Sequence, residues 1–313
     1  MPPSLPLPVS EVDVCVIGAG LAGVAAAASA AEAGASVLLL CLPPYLGDDV
    51  SATFRHDPSD QATESLGRTL FGAGRPTPMQ VKRGCEAHLA AAGVRFLYGY
   101  AAVNLLRDAN HAVRGVIVAG RSGRLRVHCR QLIDATWRAD VARLAGIGFQ
   151  PYPAGEHDFM RVVIGGDACR DAIIQSVDTD PEPVLNDKDQ AFAVHRYQLR
   201  LHMADASPEA FAQAEQTAAR ATFHPEQQRC SERLWQVPPD PVFAGSQHVQ
   251  QWQAGCDSAF ARVDDGLWIA GPCADCSRAA AAALSRPASA CRFGADLGMA
   301  VAVAVKATPP PGQ

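Results

Sequence analysis

Residues 13–42 read DVCVIGAGLAGVAAAASAAEAGASVLLLCL, and the changes of texture along this stretch decide the fold. Residues 13–17 are a short apolar run ending at Gly18, the pattern of a strand buried on both faces of a parallel sheet. From Gly20 the composition turns small and helix-forming, and Gly34 supplies the stop that a helix end favours. Residues 35–42 are apolar again and run into Pro43 and Pro44, which a central strand cannot contain. Strand, helix and strand in such close succession make one βαβ unit.

The link between the first strand and the helix is Gly18, Ala19, Gly20, Leu21, Ala22 and Gly23, a GxGxxG turn. Gly18 permits the tight turn, Gly20 lets the backbone approach a diphosphate, and Gly23 lets the helix pack closely on the strand. A diphosphate placed there meets free N–H groups at the positive end of the helix. Alone the match is weak, but a strand before it and a helix after it make it a dinucleotide-binding fingerprint. A glycine-rich turn that holds nothing is the bland alternative. The second strand of such a unit ordinarily ends on an acidic residue that accepts from ribose hydroxyls. Cys41 stands there instead, and a thiol accepts only weakly. Asp48 and Asp49 follow closely enough to substitute, or they form a solvated pair in a loop. No arginine directly follows the strand to receive a 2′-phosphate.

The bulk of the chain agrees with a globular protein: 313 residues, 48% of them apolar and 19% charged, suffice for a sizeable core. A net charge of -5 argues against nucleic-acid and anionic-membrane surfaces. The basic stretch 121–130 (RSGRLRVHCR) alternates with apolar residues as a strand with one solvated face does. The apolar run 14–33 is broken by the glycine turn and Glu32, so no membrane span is expected. The start has no basic region ahead of an apolar one, which leads to an expectation of cytoplasmic location with ten cysteines kept as thiols.

Residues 1–10 and 307–313 read as loose ends. Residues 11–148 read as the first part of a nucleotide domain, 149–264 as a substrate or cap region, and 265–306 as a return to the first domain. Within them we expect an excursion loop at 47–78, a helix at 79–92 and strands at 94–106, 112–118 and 125–133 forming an antiparallel meander. A short helix at 139–144 follows. In the middle region, 160–164 and 191–199 are β-like and 208–221 is helical. A strand at 266–270 and a helix at 293–306 close the chain. The expected class is α/β: a Rossmann-type domain with a parallel central sheet and a small meander, joined to a smaller, mainly β region.

Three further segments follow the glycine turn in order. They are Leu132-Ile133-Asp134-Ala135-Thr136, the stretch from Gly266 to Gly271 (GLWIAG), and the stretch from Arg292 through Gly294 to Gly298. Together they resemble the FAD-dependent oxidoreductases related to the flavoprotein subunit of heterodisulfide reductase, over residues 11–148 and 264–306. The resemblance implies a glutathione-reductase-like Rossmann domain along which FAD lies extended, its flavin ring meeting a second, mainly β domain. It implies that Asp134, Ala135 and Thr136 line the adenosine side, although the glycine that follows in the family is Trp137 here. Gly271 matches a turn beside the flavin. Gly294 and Gly298 match the small-residue face of the last helix, whose N-terminal end favours negative charge on a reduced flavin. Simple helix packing is the other reading of these two glycines. The implied activity is transfer of electrons or hydride between a small-molecule substrate and an acceptor, with a redox partner protein as one candidate acceptor.

Cys273 and Cys276 form a CxxC pair flanked by Cys256 and Cys291. Related proteins hold [4Fe–4S] clusters on four thiolates, yet the spacing here fits no cluster pattern. A dithiol exchanging electrons with FAD is a second reading and ordinary thiols a third, the simplest. Cys15 and Cys41 lie in buried strands as packing residues. The nine histidines show no HxxxH or HExxH spacing, so no mononuclear metal site is expected. His56 and His195 are the two to follow, each with a solvated or satisfied side chain as its alternative. Arg278 is either an anchor for an anionic substrate or a surface residue. The absence of GxSxG gives hydrolase readings no support. Two rivals stand beside the oxidoreductase. One is a non-catalytic flavin- or nucleotide-binding accessory protein, favoured by Cys41 and Trp137. The other is an NAD-dependent enzyme, which leaves the Asp134 and Gly294 segments unexplained.

Overall fold

A computed structural model describes residues 9–57, 63–186, 188–238, 240–242 and 248–308. They divide into two units: the described residues of Met1–Ser51, Arg55–Gln150 and Asp240–Gln313, and those of Ala52–Phe54 and Pro151–Pro239. Residues 240–242 and 248–264, read from sequence as part of the cap region, therefore pack with the first unit. Residues 1–8 and 309–313, read as loose ends, lie outside the described residues.

In the first unit β1 (Val9–Ile17) leads into α1 (Leu21–Glu32) and β2 (Val37–Cys41). Three helices follow, α2 (Asp48–Ser51), α3 (Ser65–Phe71) and α4 (Pro78–Ala91), then β3 (Arg95–Tyr98). The antiparallel meander is β4 (Tyr100–Arg107), β5 (Val113–Gly120) and β6 (Gly123–Asp134), with α5 (Asp140–Leu144) behind it. The second unit holds β7 (Gly155–Ile164), β8 (Ile174–Thr179), β9 (Val184–Leu185), β10 (Ala191–Phe192), β11 (Val194–Met203), α6 (Pro208–Ala221) and β12 (Arg229–Cys230). The chain returns to the first unit with β13 (Arg262–Asp264), β14 (Leu267–Ile269), α7 (Arg278–Leu284) and α8 (Pro287–Ala307).

The first unit's sheet has the order β13-β14-β6-β1-β2-β3, with β5 and then β4 extending from β6. β14, β6, β1, β2 and β3 are mutually parallel. Ile17 pairs with Leu40 on one side and Asp134 on the other, and Asp134 pairs with Ile269. Four strands thus end at one level, the edge where ligands of open α/β sheets bind. Three cross-strand bonds knit that edge: Gly18 N–H to Leu40 O (2.9 Å), Ala135 N–H to Ile17 O (2.7 Å) and Ala270 N–H to Asp134 O (2.7 Å). The expected Rossmann-type class with its meander is what the structure shows.

Several boundaries differ from expectation for physical reasons. β1 begins at Val9, not beyond residue 10, because Val9 and Ser10 pair with Arg126 and Val127 of β6. The excursion loop is partly helical: α3 is capped by the Glu64 side chain, which accepts from Leu66 N–H (2.8 Å) and Gly67 N–H. Residues 58–62 of that stretch lie outside the described residues. α8 starts at Pro287 instead of near Phe293, since proline at the first helical position forfeits no hydrogen bond. Its length and apolar content would suffice for a bilayer span, but in this fold it is a core helix on α1.

The contact between these two helices depends on missing side chains. A Cβ at Gly294 would lie 2.2 Å from Ala22 O, and one at Gly298 2.3 Å from Ala26 O. The alanine-rich surface of α1 and the two glycines let the backbones touch at interior packing density. The second unit is built otherwise. Its sheet, β12-β7-β11-β8, is antiparallel, and Phe159, Val163, Tyr197, Leu199, Leu201 and Met203 form a core with Ala214 and Ala218 of α6.

Candidate nucleotide site

The glycine turn is fixed by the strand beside it. Gly18 has φ +134°, and a Cβ there would lie 2.2 Å from Ala135 O, so both dihedral and space exclude a side chain. A Cβ at Gly23 would come within 2.7 Å of Ala135 Cβ, which is the close helix–strand approach expected of the third glycine. Ala135 therefore serves as the wall of the turn. Ala19, Leu21 and Ala22 are buried in support of it.

Gly20 caps α1 with no side chain of its own, leaving the first N–H groups of the helix to outside acceptors. One acceptor is present. Both carboxylate oxygens of Asp49 lie 3.1 Å from Leu21 N. A Cβ at Gly20 would meet the Asp49 Cγ and Oδ2 at 3.2 Å. Asp49 is brought there by Gly47, whose N–H donates to Ala19 O at 2.7 Å and whose carbonyl accepts from Ser51 N–H at 2.8 Å. Leu46 and Val50, both buried, seat the short helix α2 that carries Asp49. Asp49 thus lies at the diphosphate end of the site, not at the ribose end, where sequence spacing allowed it to replace the missing acid. Arg55 lies near the same carboxylate: burial lowers its pKa to about 10 while Asp49 opposes the fall. Its Nη1 donates to Ser285 O at 3.0 Å.

At the end of β2 the Cys41 thiol is buried and donates to Pro43 O at 3.4 Å. Burial and the Asp48 charge push it up to about 12, so it remains a neutral thiol. No carboxylate is supplied by this residue for a ribose.

Asp134, which the resemblance places on the adenosine side, is fully buried. Its Oδ1 accepts from Thr136 N–H (3.0 Å) and the Thr136 hydroxyl (2.6 Å), and its Oδ2 from Ala142 N–H (2.9 Å). Desolvation raises its pKa to about 6 against these bonds. Asp134 and Thr136 hold the turn into α5. Trp137, the residue in place of a glycine, is half-buried there, and its carbonyl accepts from the Cys273 thiol at 3.8 Å. The same turn is clasped by buried Asp240, which accepts from Arg138 and from Arg143 Nη2 (2.6 Å).

Around Gly271 the structure corrects the redox readings. Cys273 and Cys276 are buried at 1% and 0% exposure. Burial, with Asp240 beside the first and Asp275 beside the second, raises both thiols, Cys276 to about 12. Neutral buried thiols lack the thiolate character of a redox dithiol. Cys256, Cys273, Cys276 and Cys291 are free, and no group able to hold a metal is assembled among the described residues. Cys291 lies in α8, buried. Gly294 and Gly298 lie in the body of α8 with their small-residue face against α1, the packing arrangement that was the other reading of these two glycines. Arg278 is exposed at the first position of α7. His56 is half-buried after α2. His195, in the second unit, is a satisfied core residue: its Nε2–H donates to Gly166 O (3.0 Å) and its Nδ1 accepts from the Thr179 hydroxyl (2.9 Å).

The turn fits a diphosphate. A helix N–H is offered at Leu21, no side chain stands at Gly20, and an anionic group of the chain already sits there. The comparisons with known proteins agree. Residues 13–264 match the family model described as FAD dependent oxidoreductase, so the chain belongs to that family, whose cofactor is FAD. No curated protein matches the chain. Among solved structures it is similar to CabE, an aromatic hydroxylase from angucycline biosynthesis, at 19% identity and TM-score 0.57 over 96% of this chain and 64% of that one. The OxyS anhydrotetracycline hydroxylase from Streptomyces rimosus gives 16% identity and TM-score 0.55 over 96% and 63%. Aklavinone-11 hydroxylase, in a ternary complex with FAD and aklavinone, gives 16% and 0.53 over 95% and 63%. At these identities the likeness is one of fold, and the chain spans under two thirds of each of these proteins.

Proposed function

We propose that this member of the FAD-dependent oxidoreductase family transfers electrons or hydride between a small organic substrate and an acceptor. The observation that carries the reading is the N–H of Leu21, at the head of α1 over a glycine turn on the carboxyl edge of a parallel sheet. Bound FAD would supply the electron or hydride transfer itself. Residues 18–23 would hold its diphosphate. The Ala135 wall fixes the turn, and α8 braces α1 from behind through Gly294 and Gly298. The fold it shares with the aromatic and anhydrotetracycline hydroxylases supports a small-molecule substrate, and an oxygen-using hydroxylation is one member of the proposed class. The order of the four sequence motifs supports a place near the flavoprotein subunit of heterodisulfide reductase, without a cluster among the proposed cofactors. Ten free cysteines support a reducing, cytoplasmic setting.

A specific observation favours a second reading, that of an accessory protein with a weakened site. Cys41 offers no acid to the ribose, and Asp49 sits where a diphosphate would. One experiment separates the two. The purified protein is incubated with FAD, desalted, and its visible spectrum followed under a chemical reductant and then air. Retained yellow colour that bleaches and returns supports the oxidoreductase. Retained colour that stays inert, or failure to retain any flavin, overturns the oxidoreductase and supports the accessory protein.

A further inference from the structure

We propose that the Asp49 carboxylate is a built-in occupant of the diphosphate seat, so that FAD must displace it to bind. This rests on the FAD-binding reading above. Both Asp49 oxygens share the Leu21 N–H at 3.1 Å, and the space left open by Gly20 is filled by the same carboxylate at 3.2 Å. The placement is specified by structure. Gly47 N–H is bonded to Ala19 O at 2.7 Å, which ties the base of α2 directly onto the glycine turn. Gly47 is itself fixed by a φ of +68° and by Val81 Cγ1, which a Cβ there would approach to 2.5 Å.

The N-terminus of α1 attracts one anion, and that attraction is spent on Asp49. A diphosphate brings two more negative charges to the same N–H, and carboxylate and phosphate repel at this distance. The two cannot occupy the seat together. A ligand that binds only the fraction of molecules with Asp49 swung away has its affinity reduced by that fraction. Asp49 is thereby an affinity-setting residue for nucleotides carrying a diphosphate, and it leaves the adenosine end untouched.

The test compares wild type with Asp49→Asn, nearly isosteric but uncharged, and Asp49→Ala, which empties the seat. Gly20→Val serves as the blocked control. Binding is read by quenching of flavin fluorescence for FAD and by calorimetry for ADP and adenosine, with circular dichroism to confirm folding. The expected result is a Kd for FAD and ADP lower by about tenfold or more in both Asp49 variants, with adenosine unchanged. Equal affinity of wild type and both variants for FAD, lost only in Gly20→Val, would overturn the proposal and leave the FAD-binding reading intact. Tightening of adenosine as much as ADP would also overturn it, since the effect would not be on the diphosphate. Absence of FAD binding in every folded variant would remove the FAD-binding reading and this proposal with it.

Discussion

The two sheets of this protein use polar residues in opposite ways. In the second unit three polar side chains of the central strand are bonded to their neighbours: His195 to Thr179 and Gly166, Tyr197 to the Cys169 N–H at 2.9 Å, Arg196 to Asp180 at 2.6 Å. In the first unit the carboxyl edge of the parallel sheet leaves backbone donors facing outward at the head of α1, and a carboxylate from elsewhere in the chain has to cover them. A closed polar network serves the fold, whereas an open helix end covered by a removable group serves a ligand. The contrast can be tested by substitutions that should affect one sheet or the other.

The largest effect is expected at Gly18. Gly18→Ala forces a Cβ into a left-handed dihedral and against Ala135 O, and should cost about 4 kcal/mol in urea denaturation and abolish flavin retention. Gly34→Ala is the counter-case, with φ +95° but open space around it, and should cost only about 1 kcal/mol. Equal losses at the two glycines would mean that dihedral strain, and not the strand wall, decides the turn.

Asp134 gives the next effect, and its sign follows from its raised pKa. The unfolded chain releases this proton near pH 4, whereas the folded chain holds it to about pH 6. Between those values the folded state binds more protons, so stability falls as pH rises and is level above about 6. Asp134→Asn lacks this titration. Its stability relative to wild type should therefore improve by about 3 kcal/mol from pH 4 to pH 7, an order-of-magnitude figure from the two-unit difference. A difference that does not change with pH, measured by parallel denaturation curves, would place the charge of Asp134 in a better solvated setting than its burial indicates.

Below Asp134 comes His195→Ala in the second unit, which leaves Thr179 and Gly166 without partners and should cost about 2 kcal/mol. Because the histidine is a closed structural residue, the variant should take up FAD with unchanged Kd. A loss of flavin binding at unchanged stability would make His195 part of the site and break the contrast between the units.

What could be read from sequence tracks backbone geometry. Gly18, Gly20 and Gly23 announced themselves because the turn admits no side chains, and Pro43 with Pro44 marked the strand end. The meander and helix α6 were legible from turn residues and from the pattern of residues 208–221. Roles that depend on which way a side chain turns were not. Asp134 stands in a motif associated with the cofactor, and its carboxylate accepts hydrogen bonds from Thr136 and Ala142. Gly294 and Gly298 matched a cofactor helix, but whether a glycine faces a ligand or another backbone is set by a partner far away in sequence. Asp49 could be counted as an acid near β2, but not assigned to α1, because the Gly47-to-Ala19 bond that places it is a tertiary contact.

The contact of α8 on α1 also constrains how the protein is made. Residue 22 finds its packing partner at residue 294, so the helix that opens the nucleotide turn emerges from the ribosome long before the segment that covers it. Closing so long a loop adds entropy cost only slowly with length, yet non-local pairings of this kind make folding slow. Until they form, the alanine-rich flank of α1 is exposed apolar surface on a nascent chain. Production in cells should then be limited by this late step, and co-expressed chaperones should raise the soluble yield more than a lower growth temperature alone.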